Sequence, residues 1–184
     1  MRSEKKELTR QRMVKAAAEG FRSHGYGVGV DGLAKRAGVT SGAFYVHFGS
    51  KAEAFRQSVG HGLDDLLGGI HFFQQEHHDQ WWPEFVNFYL GAKRTCDLTQ
   101  SCSLQTLTPE LARSDEATRQ VFEDRFLSIA QSIVAGPVSP GKPETTGAAL
   151  SALATLIGAV TLARAVKRDE IAEQIAQAAA QQLL

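Results

Sequence analysis

The sequence has 184 residues, 43% apolar and 22% charged, a balance that suits one or two folded domains and excludes a disordered chain. No run nears the roughly 18 consecutive apolar residues of a membrane span, residues 1–6 lack an apolar signal core, and two cysteines cannot make a disulfide framework. A cytoplasmic protein is therefore expected. Twenty basic residues balance twenty acidic ones, but unevenly: residues 1–56 hold eleven basic against five acidic side chains, a net +6, and the remainder carries −6. A basic module that meets a polyanion, beside an acidic body that does not, is one reading of that split. Chance clustering is the other.

Helical periodicity runs through almost every segment, giving an all-α fold of about nine helices. Ser3 is positioned to cap a first helix running to His24, with Val14, Ala17, Ala18 and Phe21 on one stripe and Gly25 as its stop. Residues 30–37 predict a short helix burying Leu33 and Ala34, halted by Gly38. Thr40 then caps another short helix through Phe44 and His47, which Gly49 breaks. Ser50-Lys51-Ala52-Glu53 is a capping box, the hydroxyl and carboxylate each satisfying the other's backbone N–H, and it opens a helix past Phe55 and Val59. Gly68-Gly69, the polar stretch 74–80 and Pro83 predict interruptions. Helices follow near 84–97, 104–113, 115–134, 146–167 and 169–183, and the Pro/Gly-rich stretch 136–143 is the clearest loop. There is no alternating strand pattern and no repeat.

The two short helices, joined by Ala37-Gly38-Val39-Thr40, fit a helix-turn-helix in which Gly38 supplies a positive φ. Small residues Ser41, Gly42 and Ala43 lead the second helix, so its N-terminus can approach a groove closely, and Tyr45, His47 and Lys51 lie where polar tips reach phosphates. A plain helical hairpin in which Tyr45 covers core fits the same pattern. What separates the two is the ordered set Ala16-Ala17, Phe21, Gly25-Tyr26, Val30 to Val39, Thr40 to Phe48 and Ser50 to Phe55. Over residues from about Arg10 to Val59, the chain closely resembles the DNA-binding domain of TetR/AcrR-type bacterial transcriptional regulators. The resemblance implies that Thr40 and Ser41 bind phosphate or a base edge at the start of the recognition helix. It implies that Gly42 and Ala43 face bases, and that Tyr45, His47 and Lys51 hold backbone phosphates. Gly29 departs from the family's usual Ser or Thr cap, which touches the local cap and not the reading face. The expected division is residues 1–56 for DNA binding and 57–184 for a helical effector-binding and dimerisation domain.

In that second part the last two helices are rich in apolar and small residues. The monomer's own core and a dimer interface both account for them. The resemblance implies a homodimeric four-helix bundle, to which Leu153, Leu156, Ile157, Val160, Ile171 and Ile175 are assigned, so that two recognition helices meet a pseudo-palindromic double-stranded operator. It also implies a ligand cavity for a small-molecule effector, for which Phe85, Phe88, Tyr89, Cys102, Phe122 and Phe126 are the candidates. The i, i+3, i+4 spacing of Phe85, Phe88 and Tyr89 predicts one shared face, while Trp81 and Trp82 are expected at a surface or interface. His71, His77 and His78 lack metal-ligand spacing, so neither a metal nor a cofactor is expected. The function read from all this is a ligand-responsive DNA-binding regulator, a repressor released by a small, largely apolar effector. Alternatives are a thiol-sensing repressor using Cys102, which lies in sequence near Lys93, Arg94 and Arg113, and an all-α enzyme, for which no nucleophile–base constellation is visible.

Overall fold

The structure, a computed structural model, describes residues 2–184, with side chains described from Glu7 onward. Ser3 falls within the first helix, and its expected cap lies outside the described side chains. Among the described residues there are ten α-helices and no strands. They are α1 (Arg2–His24), α2 (Val30–Arg36), α3 (Ser41–Phe48), α4 (Lys51–His77), α5 (Trp81–Leu90), α6 (Ala92–Thr95), α7 (Ser103–Leu111), α8 (Glu116–Ala135), α9 (Thr146–Ala165) and α10 (Asp169–Leu183). Two single 3-10 turns, His78–Gln80 and Leu98–Gln100, complete the order.

Three local expectations need correction. α4 runs straight through Gly68-Gly69 to His77, because a 27-residue helix has enough flanking hydrogen bonds to absorb two glycines. Pro83 does not interrupt a helix either. It sits in the first turn of α5, where its missing N–H would have no partner in any case. The helix expected over 84–97 instead ends at Gly91, and the four-residue α6 is the extra element beyond nine.

Contacts divide the chain into two compact units: Met1–Leu63 with Leu98–Glu123, and Asp64–Asp97 with Asp124–Leu184. The boundary expected at Arg56 thus falls inside the first unit, which also takes in α7 and the start of α8. Phe21, Leu33, Ala34, Phe44, Phe48 and Phe55 are buried there, with Phe21 meeting Phe55 edge to face at 5.1 Å. Two devices bind residues 98–123 into this unit. The Arg22 guanidinium donates to the Thr99 carbonyl at 2.9 and 2.6 Å and to Ser103 Oγ at 3.3 Å. Gly62 lets Ser103 close in: a Cβ there would stand 1.9 Å from Ser103 Oγ.

The second unit is organised by its tryptophans. Both are fully buried, correcting the expectation of a surface or interface position. A buried indole needs an acceptor for its N–H. Trp81 Nε1 donates to the Pro137 carbonyl at 2.9 Å, and Trp82 Nε1 donates to the Leu183 carbonyl at 3.1 Å. The Trp82 backbone N–H donates to Ser139 Oγ at 3.2 Å, so α5 holds both the 136–143 loop and the end of α10. Ala172, Ala176 and Ala179 give α10 a flat buried stripe, matched on α9 by Ala149, Ala152, Leu153, Leu156, Ala159, Val160 and Ala163. α9 is long and apolar enough, by length and composition alone, to cross a membrane.

Candidate nucleic-acid interface

α2 and α3 form a helix-turn-helix because the turn between them is closed locally and its two apolar faces share one core. Gly38 has φ 69°, the left-handed conformation the turn requires, and Val39 N–H donates to the Ala34 carbonyl at 3.0 Å. Leu33 and Ala34 from α2 and Phe44 and Phe48 from α3 are buried, the two phenyl rings 4.7 Å apart. With that side fixed inward, α3 must present its other side to solvent. Gly42, Tyr45 and Val46 are exposed, and Ala43 and His47 are half-buried.

The start of α3 is capped as expected. Thr40 Oγ1 accepts the Ala43 N–H at 3.2 Å, which leaves the hydroxyl hydrogen for an anionic oxygen beside the positive end of the helix. Ser41 is different, because its hydroxyl donates to Asp31 Oδ1 at 2.5 Å. With its one donor engaged, Ser41 retains acceptor lone pairs, which suit a base amino group better than a phosphate. Asp31 was not expected to bear on this helix, and nothing in the residue spacing announces the contact.

At the next helix start, Ser50 Oγ accepts the Glu53 N–H at 3.0 Å. The reciprocal half of the capping box gives way to ion pairing: the Glu53 carboxylate instead accepts from Arg56 at 2.7 Å and Gln57 at 2.9 Å. Arg56 also reaches Asp115, at 3.4 Å. The Asp115 carboxylate accepts the Thr118 N–H at 2.7 Å. That bond, then the Thr118 hydroxyl, then Arg56, hold its pKa below the ordinary 3.8. Lys51 stands with Nζ 4.6 Å over the Tyr26 ring, and Tyr26 is itself braced edge to face by Phe55 at 5.1 Å. Tyr26 was noted only as part of the motif, yet it holds the ammonium of Lys51 at the N-terminus of α4. Val46, 86% exposed, was missed altogether. Its sequence signal was present: it lies two residues from buried Phe44 and one turn after Gly42.

The other candidates are less concentrated. Phe85 and Tyr89 are buried, but Phe88 is 39% exposed and rests on Phe73 at 5.2 Å. The i+3 and i+4 positions straddle a line by about 100°, so once Phe85 and Tyr89 turn inward Phe88 cannot follow. Cys102 and Phe122 belong to the first unit, whereas Phe85, Phe88, Tyr89 and Phe126 belong to the second, so no single unit gathers all six. Cys102 is only 8% exposed at the N-cap of α7. Cys96 is half-buried, with an Arg164 Nη2 donor 3.4 Å from Sγ. Among the interface candidates, Leu153, Leu156 and Val160 are packed inside the protomer and have no surface left for a partner, which corrects their assignment. Ile157, Ile171 and Ile175 remain partly outward, as does Leu162, 59% exposed. Among the described residues no group of His, Cys, Asp or Glu is arranged to hold a metal ion.

Residues 13–57 match the family described as bacterial regulatory proteins, tetR family. No curated protein is detectably similar in sequence. Among solved structures, a TetR-family transcriptional regulator from Cytophaga hutchinsonii superposes with a TM-score of 0.76 at 20% identity, covering 97% of this chain and 94% of that one. A TetR-family regulator from Agrobacterium tumefaciens gives 0.74 at 17% identity, covering 96% and 98%. The transcriptional regulator FadR from Bacillus subtilis, in complex with stearoyl-CoA, gives 0.57 at 16% identity, covering 95% and 99%. Residues 13–57 thus match the tetR family of bacterial regulatory proteins, and the chain as a whole has the fold of these TetR-family transcriptional regulators.

Proposed function

We propose that the chain is a cytoplasmic, homodimeric repressor that leaves a pseudo-palindromic operator when a small, largely apolar effector binds. The observation that carries the DNA-binding half is the outward side of α3. It combines a Thr40-capped positive helix end, an exposed Tyr45 and half-buried His47, and Lys51 held over Tyr26 one turn away. Phosphates are met by this set at the helix end and on its flank, and bases by the small side chains between. One protomer offers one recognition helix, and a second copy supplies the recognition helix for the other half-site. Ile157, Leu162, Ile171 and Ile175, the apolar side chains that α9 and α10 leave outward, support pairing through those helices.

For the effector, support comes from the aromatic cluster Phe73, Phe85 and Phe88 with Tyr89, and from FadR of Bacillus subtilis, a protein of the same fold that holds stearoyl-CoA. An effector that favours the conformer with displaced recognition helices weakens DNA binding by its differential affinity, and DNA weakens effector binding by the same factor. A mobility-shift titration with DNA from the region upstream of the coding sequence, at two salt concentrations, tests the reading. Binding that tightens steeply at low salt and is reversed by a long-chain acyl compound is the expected result. Absence of binding to any duplex at low salt would overturn it.

A further inference from the structure

We propose that Val46 is a specificity-determining residue that reads the C5-methyl group of a thymine in the major groove. The inference rests on α3 being the DNA-reading helix and names what that helix reads. At about 100° per residue, Val46 lies about 200° from Phe44 and about 160° from Phe48. These are the two side chains that anchor α3 in the core, so Val46 points directly away from it. It is 86% exposed, and its neighbours one turn before and near the helix end, Gly42 and Gly49, have no side chains to cover it. A β-branched residue on the solvent side of an eight-residue helix does nothing for helix formation or for the core. Its isopropyl group is available only to something outside the chain.

The chemistry of that outside partner follows from what surrounds Val46. Gly42 and Ala43 offer no hydrogen-bonding group, and the Ser41 donor is taken by Asp31. The face around Val46 is therefore apolar, with polar groups confined to its edges: the Ser41 acceptor lone pairs at the helix start, and Thr40, Tyr45, His47 and Lys51. Every base-pair edge in the major groove presents donors and acceptors, but only thymine presents a methyl group. An isolated valine with no polar competitor beside it matches that feature and leaves any hydrogen-bonding edge it covers unsatisfied. 5-Methylcytosine offers the same methyl, so the test separates the two.

The experiment uses the full chain and duplexes that it recovers from a randomised pool. Each thymine in the recovered site is replaced singly by deoxyuridine, and each cytosine singly by 5-methyldeoxycytidine, and affinities are compared for the unaltered protein and Val46→Ala. At one thymine position, uracil is expected to weaken the unaltered protein about fourfold, the weight of one methyl group withdrawn from water. Val46→Ala should weaken binding to the thymine duplex comparably and show no further loss with uracil. Val46→Asn, repeated from the randomised pool, should exchange thymine for adenine at that position. If uracil costs both proteins equally at every thymine, or if coupling appears only at methylated cytosine, the thymine assignment is wrong. Should that happen while Tyr45→Ala and Lys51→Ala still weaken binding to all sequences, DNA reading by α3 stands without it. If no duplex is recovered or bound, both readings fall together.

Discussion

Helices α3 and α5 are close in length and use their aromatic side chains in opposite ways. α3 buries Phe44 and Phe48 on one side and leaves Tyr45 and Val46 in solvent. α5 buries Trp81, Trp82, Phe85, Val86, Tyr89 and Leu90, so it is enclosed on most sides and only Phe88 escapes among its large apolar residues. The first helix is a presenter, held by one narrow face and free to vary on the other. The second is a spine, whose side chains also satisfy the backbone of a loop and of the chain's end. The difference predicts where sequence changes alter folding and where they alter only binding.

The largest effect belongs to the spine. Trp82→Ala removes a fully buried indole together with the Leu183 hydrogen bond and is expected to cost about 3–5 kcal/mol in urea unfolding. A loss below about 1 kcal/mol would show that α5 is not the support described. On the presenter, Tyr45→Ala and Lys51→Ala should each weaken DNA binding roughly tenfold for every sequence and lower the salt slope by about one, with stability within about 0.5 kcal/mol. An unchanged slope in both variants would remove them from the phosphate contacts. Thr40→Ala lies between the classes: losing the α3 cap should cost about 1 kcal/mol of stability and weaken binding as well.

The smallest effect is set by pH. The Asp115 carboxylate is held below its ordinary pKa of 3.8, so its contribution to stability is present above that value and is lost as pH falls through the depressed one. Asp115→Asn should therefore lower the midpoint of thermal unfolding slightly at pH 7, and the difference should close as acid approaches that range. A difference that persists undiminished at low pH would assign the effect to packing around Thr118 instead of charge.

How much of this was legible in the residues varied with the kind of signal. The Gly38 turn, the Thr40 cap and the buried Phe44 were readable because each is enforced locally, by a backbone conformation or a three-residue spacing. The Ser41–Asp31 and Lys51–Tyr26 contacts span 10 and 25 positions and depend on how helices cross, which no local pattern states. The aromatic run at 81–89 announced apolar burial but not its direction, so Phe88 was grouped with neighbours that face elsewhere. On α9, apolar residues nearly all round hid which of them the protomer uses for itself. Leu153, Leu156 and Val160 are internal because α10, α5 and α6 all pack against α9.

The placement of the indoles has a practical consequence. Trp81 and Trp82 are the only tryptophans in the sequence, and both belong to the second unit, 5.5 Å apart and at a steep angle to each other. The first unit holds Tyr26 and Tyr45 but no tryptophan. Emission excited at the red edge of the indole band therefore comes from one half of the molecule alone. It will follow events around α5 without labelling.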